Sequence, residues 1–177
     1  TPNRIGIKNI ISYNHNNFVY LNSKLNFYSE IIGQGTNEKR NFSYASASAT
    51  IQLDEITNLK NSNLKISYDQ SKVDRLGNDY EQIDLTTNLL SYRFNVEFFK
   101  KTSFNFSGFN YIAKGNEFGT IRNDYTEILS FSEIIMDSNE NIYSLGLQYD
   151  FNKKTYFNIQ YNFTNNTNNI NLSLIHI

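Results

Sequence analysis

The chain contains no cysteine and no tryptophan, and only one proline, one methionine and two histidines among its 177 residues. Without cysteine there is neither a disulfide frame nor a thiolate metal site. His15 and His176 are isolated in sequence. With no activating partner in view, each reads as a polar turn or strand residue rather than a catalytic base. No stretch of 18 apolar residues occurs, which excludes a transmembrane helix. Neither sign of charge dominates: 16 basic and 17 acidic residues leave a net charge of −1. Nucleic acid is therefore not an expected partner, because such proteins present a basic face. Segments of helical period are also missing.

What is present favours strands. Asn makes up about one residue in six, and there are 13 Tyr and 14 Phe alongside abundant Ser, Thr and Ile. The mean hydropathy of −0.53 is compatible with a membrane barrel, in which only alternate residues meet lipid. The start, Thr1-Pro2-Asn3-Arg4, lacks signal-peptide character, so export requires a mature form or a fragment.

Alternation is clearest from Ile142 to Phe151. Tyr143, Leu145, Leu147, Tyr149 and Phe151 fall on one side, and Ser144, Gly146, Gln148 and Asp150 on the other, the period of a strand with one apolar face. Phe157, Ile159, Tyr161 and Phe163 continue it after a turn. Tyr80–Phe98 reads as a long strand whose apolar phase slips from Ile83, Leu85 and Leu89 to Leu90, Tyr92, Phe94, Val96 and Phe98. The slip implies a β-bulge or a change of exposed face. A similar slip near Gly108 in Ser103–Tyr111 suggests a bulge at the glycine. Strands are also expected at Ile5–Tyr13, Phe18–Ile32, Phe42–Leu53, Leu64–Tyr68 and Ile170–Ile177, about nine in all. Asn14–Asn17, Phe99–Thr102 and Asn152–Thr155 read as short turns. Gly33–Arg40, Gln70–Asp79 and Lys114–Asn141 read as long charged connections, the last with a hairpin of its own at Tyr125–Met136.

One pattern recurs. Phe98-Phe-Lys100-Lys101-Thr102-Ser-Phe104-Asn105 is echoed 53 residues later by Phe151-Asn-Lys153-Lys154-Thr155-Tyr-Phe157-Asn158, with six of nine positions identical. Tyr149-Asp-Phe151-Asn-Lys153-Lys154-Thr155-Tyr156-Phe157 resembles the strand-end and turn signature of bacterial porins and related outer-membrane barrels. The chain departs from that group at its end, Leu174-Ile-His-Ile177, where an aromatic is usual. The resemblance implies an all-β fold: an antiparallel up-and-down transmembrane β-barrel of about 8–10 strands, or the C-terminal part of a larger one, forming a single domain over 1–177. It also implies residence in the bacterial outer membrane, lipid and other subunits of a membrane complex as partners, and no enzymatic role or cofactor. Lys100, Lys101, Thr102, Lys153, Lys154 and Thr155 would form periplasmic turns, with the last strand running down to a periplasmic C-terminus. Tyr92, Phe94, Phe98, Phe104, Tyr149, Phe151, Tyr156 and Phe157 would form an interfacial aromatic girdle.

Two acidic groups are candidate Ca²⁺ ligands: Asp69, Asp74, Asp79 and Glu81, and then Asp124, Glu127, Glu133, Asp137 and Glu140. Neither has the spacing of a Ca²⁺ loop, and each reads as a solvated loop. A porin-like channel or a membrane-embedded component of a transport or assembly complex is the expected function. The alternative is a soluble or surface-exposed β-sandwich or barrel that binds a ligand or partner.

Overall fold

A computed structural model describes residues 4–32, 39–55, 57–76, 82–99, 101–122, 128–152 and 155–176. They form one antiparallel sheet of eight strands, each paired with its neighbours in sequence order. The strands are β1 (Arg4–His15), β2 (Val19–Glu30), β3 (Asn41–Gln52), β4 (Lys60–Arg75), β5 (Ile83–Phe99), β6 (Thr102–Arg122), β7 (Ile128–Asn152) and β8 (Thr155–His176). A single 3₁₀ turn, Leu53–Glu55, follows β3. Among the described residues β1 and β8 are the two sheet edges and do not pair with each other.

The first hairpin shows why the chain reverses where it does. Asn16 and Asn17 both have positive φ (47° and 58°), a region asparagine tolerates better than most residues. The Phe18 N–H donates to the His15 carbonyl at 2.9 Å, closing the turn. At the same end of the sheet, residues 100–101 join β5 to β6 and residues 153–154 join β7 to β8. In each hairpin the register shifts just before the turn, between Glu97 and Phe99 and between Asp150 and Asn152. The two copies of one sequence element thus carry the same register shift at the same position.

Three expectations are corrected. Among the described residues there are eight strands, and 155–176 is one continuous strand where the pattern reads as two, Phe157–Phe163 and Ile170–Ile177. The described C-terminal end consequently lies at the opposite end of the sheet from the Lys-Lys turns. Lys114–Asn141 is not a loop with its own hairpin. β6 runs to Arg122 and β7 starts at Ile128, and the two pair throughout in one register up to Ile121. Finally, neither phase slip is a bulge, since pairing is unbroken through Leu89–Leu90 and through Gly108. The apolar residues change face instead.

That change of face separates two surfaces. Register places Ile83, Leu85, Ala113 and Ser138 on one face with Asn26, Glu30 and Arg75, and all of these are buried. This face is concave: Arg40, just before β3, reaches past β4 and β5 to Glu117 on β6 (2.9 Å). Ile83 packs against Phe118, with Val73 alongside, in a small core near the long-connection end. Gly115 sits beneath it with φ +120°, and a Cβ there would meet the Asp84 carbonyl oxygen, so only glycine allows β6 to bend over this core.

Candidate functional site: two faces and an oblique belt

The opposite, convex face carries most of the large apolar side chains, and many of them are exposed. Ile7 is 74% exposed, Ile11 63%, Phe27 56% and Tyr161 64%. One register row on this face reads Tyr13, Leu21, Ala49, Ile66, Tyr92, Gly108, Tyr143 and Phe163 from β1 to β8. The next row toward the short turns reads His15, Val19, Ile51, Leu64, Phe94, Phe106, Leu145 and Tyr161. Aromatic rings fill the β5–β8 end: Tyr92 with Phe106 at 5.5 Å and with Tyr143 at 6.3 Å, and Tyr143 stacked on Phe163 at 4.9 Å.

Along each strand this apolar stretch has limits. In β1 it runs from Ile5 to Tyr13, in β2 from Val19 to Phe27, in β3 from Ala45 to Ile51 and in β5 from Leu90 to Phe98. In β7 it runs from Tyr143 to Tyr149 and in β8 from Phe157 to Phe163. Beyond Tyr143 the same face turns polar, with Asn141 paired to Asn110, whose amide also donates to Asn139 at 2.9 Å. The belt therefore crosses the register rows obliquely. Its midpoint in β1, Asn9, lies four residues to the long-connection side of the Tyr13–Phe163 row. Its midpoint in β8, Gln160, lies three residues to the other side, a drift of seven residues over seven strand steps. At about 3.4 Å per residue and about 4.8 Å per strand, a level belt requires strands tilted by about 35°.

The residues expected to form an aromatic girdle fall as follows. Tyr92, Phe94, Phe98, Phe104, Tyr149 and Phe157 all lie in this belt by register, and Phe98 and Phe104 approach at 6.3 Å between ring centres. Phe151 lies at the register shift of β7, and Tyr156 pairs with Asp150 along the backbone ladder. Of the turn residues, Lys101 occupies the β5–β6 turn with φ 76°, and Thr102 and Thr155 open β6 and β8. Lys100, Lys153 and Lys154 lie outside the described residues.

The two acidic groups are not loop clusters. Asp69 and Asp74 are strand residues that accept hydrogen bonds from the Tyr44 hydroxyl and from Asn41 Nδ2 (3.2 Å). Glu133, Asp137 and Glu140 lie on β7. Asp79, Glu81, Asp124 and Glu127 fall outside the described residues. No grouping of potential metal ligands occurs among the described residues. His15 contacts the Tyr13 hydroxyl through Nδ1 at 3.2 Å, within the first hairpin.

The concave face is polar and water-compatible. Asn22 donates to Ser12 at 2.8 Å, Asn95 to Asn63 at 3.0 Å and Gln160 to Ser144 at 2.9 Å. Near its long-connection end, Arg40 ties β2, β3 and β6 together. Its backbone N–H donates to the Glu30 carboxylate (3.0 Å) and its guanidinium to Glu117 and to the Phe118 carbonyl (3.4 Å). Lower on this face, Lys65 and Arg93 stand directly opposite one another, beside Ser67, Ser91 and Ser107, around an open cavity of about 360 Å³. Sequence reading does not single out these two cations, because only the β4–β5 register brings them together. No family model, no curated protein and no solved structure matches the chain.

Proposed function

We propose that the chain is a transmembrane β-barrel, or part of one, of the bacterial outer-membrane kind, serving as the membrane-embedded element of a transport or assembly complex. The oblique apolar belt carries this reading. A tilt of about 35° falls within the 35–45° range of membrane barrels. Six to eight residue steps along a tilted strand give the belt a height of about 17–22 Å, somewhat under the 25 Å apolar band such barrels present. A soluble module would need a second layer over exposed side chains of this face such as Ile7, Ile11, Phe27 and Tyr161, whereas Val96 on the same face is already buried.

Loop lengths and strand overhang orient the molecule. The connections after β1, β5 and β7 are two or three residues long and suit the periplasmic side, where the one after β3 has seven, and the overhanging β6–β7 pair suits the outer side. Eight strands enclose an interior that side chains fill, so an anchoring or complex-embedded role is favoured over an open pore. The test is partition of the refolded chain into detergent, together with heat-modifiable migration on a gel. A chain that stays monomeric in water without detergent and migrates identically before and after heating would overturn the proposal.

A further inference from the structure

Register alone places the cavity around Lys65 and Arg93 on the concave face, so a ligand site there is independent of the membrane reading. Two like charges directly opposite in an antiparallel pair repel and weaken the sheet. Neither takes part in an ion pair among the described residues: the pairs Arg40–Glu117 and Lys72–Asp84 leave both out. The nearest acids on the same face of the same two strands are occupied. Asp69, four residues along β4 from Lys65, accepts from the Tyr44 hydroxyl. Glu97, four residues along β5 from Arg93, accepts from Asn61 Nδ2 at 2.5 Å.

Around the two cations the donors converge. Ser67 is opposite Ser91, and Ser107 is opposite Arg93, so three hydroxyls flank the charges. Phe109 and Ile142 close one side with apolar surface. A guanidinium offers a planar fork suited to two oxygens of an oxyanion, and an ammonium adds a point charge. Serine hydroxyls can donate to the remaining oxygens. We infer that this cradle binds a small phosphate-class oxyanion, free or as the phosphate of a small solute, whose negative charge relieves the Lys65–Arg93 repulsion.

Inorganic phosphate is the probe. Thermal unfolding of the whole chain in detergent is followed by circular dichroism against rising phosphate, with chloride at matched ionic strength as control. Phosphate should raise the melting temperature saturably, as a ligand of the folded state does. Lys65→Gln and Arg93→Gln should each weaken the apparent affinity at least tenfold. Arg93→Lys, which keeps the charge but loses the fork, should weaken it nearly as much. The double Lys65→Gln/Arg93→Gln variant should show no phosphate response and should melt higher than wild type without phosphate. If that double variant does not fold, the single variants decide. A phosphate response no larger than that of chloride in the wild type, or one that survives in the variants, overturns the assignment.

Discussion

Single residues decide how the two faces stay distinct. Gly108 sits in the aromatic part of the belt because Tyr92 lies across it: a Cβ there would be 2.6 Å from the Tyr92 hydroxyl oxygen and 2.9 Å from the Ile142 carbonyl. Gly108→Val should therefore push the Tyr92 ring out from between Phe106 and Tyr143. The expected cost is about 1–3 kcal/mol of overpacking, read from urea unfolding, while Gly108→Ala should cost less. On the other face, Arg40 is the tie that curls the sheet. Its ion pair with Glu117 is partly shielded, with side chains 23% and 31% exposed. Arg40→Met leaves Glu117 without its partner, and a loss of about 1–2 kcal/mol is expected after allowing for solvent screening. A double-mutant cycle with Glu117→Gln checks it: coupling near zero would show that the curl is held by the Ile83–Phe118 contact instead.

Elements are legible in the sequence to the degree that their alternation is one-sided. β7 from Ile142 and β8 up to Phe163 alternate strictly between apolar and polar, and both are strands. In the outer halves of β6, β7 and β8 the sequence runs Asn, Ser, Asp and Glu together without apolar alternation, as in Asn165-Asn166-Thr167-Asn168-Asn169. There the period-two signal vanishes although the backbone ladder continues. The same loss of contrast splits β8 into two expected strands and turns Lys114–Asn141 into an expected loop. Phase slips are visible in the string, but their cause is not. An apolar residue moving to the concave core at Ile83 and Leu85 gives the same string as a bulge, and only pairing to β4 and β6 separates them. The cation pair at Lys65 and Arg93 is hidden for a related reason, since register is a property of two strands together. Adjacent positions on β3 test the face assignment at this scale. Ala47 lies on the convex face, and its neighbour Ser46 lies on the concave one. Ala47→Arg should destabilise the chain folded in lipid vesicles by about 2–4 kcal/mol, and Ser46→Arg by much less. Ala47 is already exposed. In a water-soluble sheet both substitutions would be nearly neutral, and that equality would remove lipid as the medium facing the belt.

At the scale of the whole molecule, the drift of the belt would constrain how the open edges meet in the proposed barrel. A flat sheet with a level belt would keep its apolar midpoint in one register row, but here the midpoint moves about one residue per strand. For eight strands closing on themselves this amounts to a shear of about eight, which couples to a tilt near 36°. If the proposed barrel closes, matching the belt across the seam would fix the β1–β8 register: Ile5 would fall opposite Phe163, Ile7 opposite Tyr161, Asn9 opposite Ile159 and Ile11 opposite Phe157. Only the first half of β8 would be used, and the backbone of 165–176 would stand above the seam with the overhanging ends of β6 and β7. Because the chain has no native cysteine, an Ile7→Cys/Tyr161→Cys pair reports this register without interference. Paired strands bring such Cα atoms within disulfide range, about 4.4–6.8 Å. Oxidation of the refolded chain in detergent should give an intramolecular bridge for this pair. It should give none for Ile7→Cys/Phe157→Cys, which is four residues out of step. A bridge between chains in place of one within the chain would mean that a second copy completes the seam. No bridge of either kind, with the belt still embedded, would mean that further strands stand between β8 and β1 in a wider barrel of the same tilt.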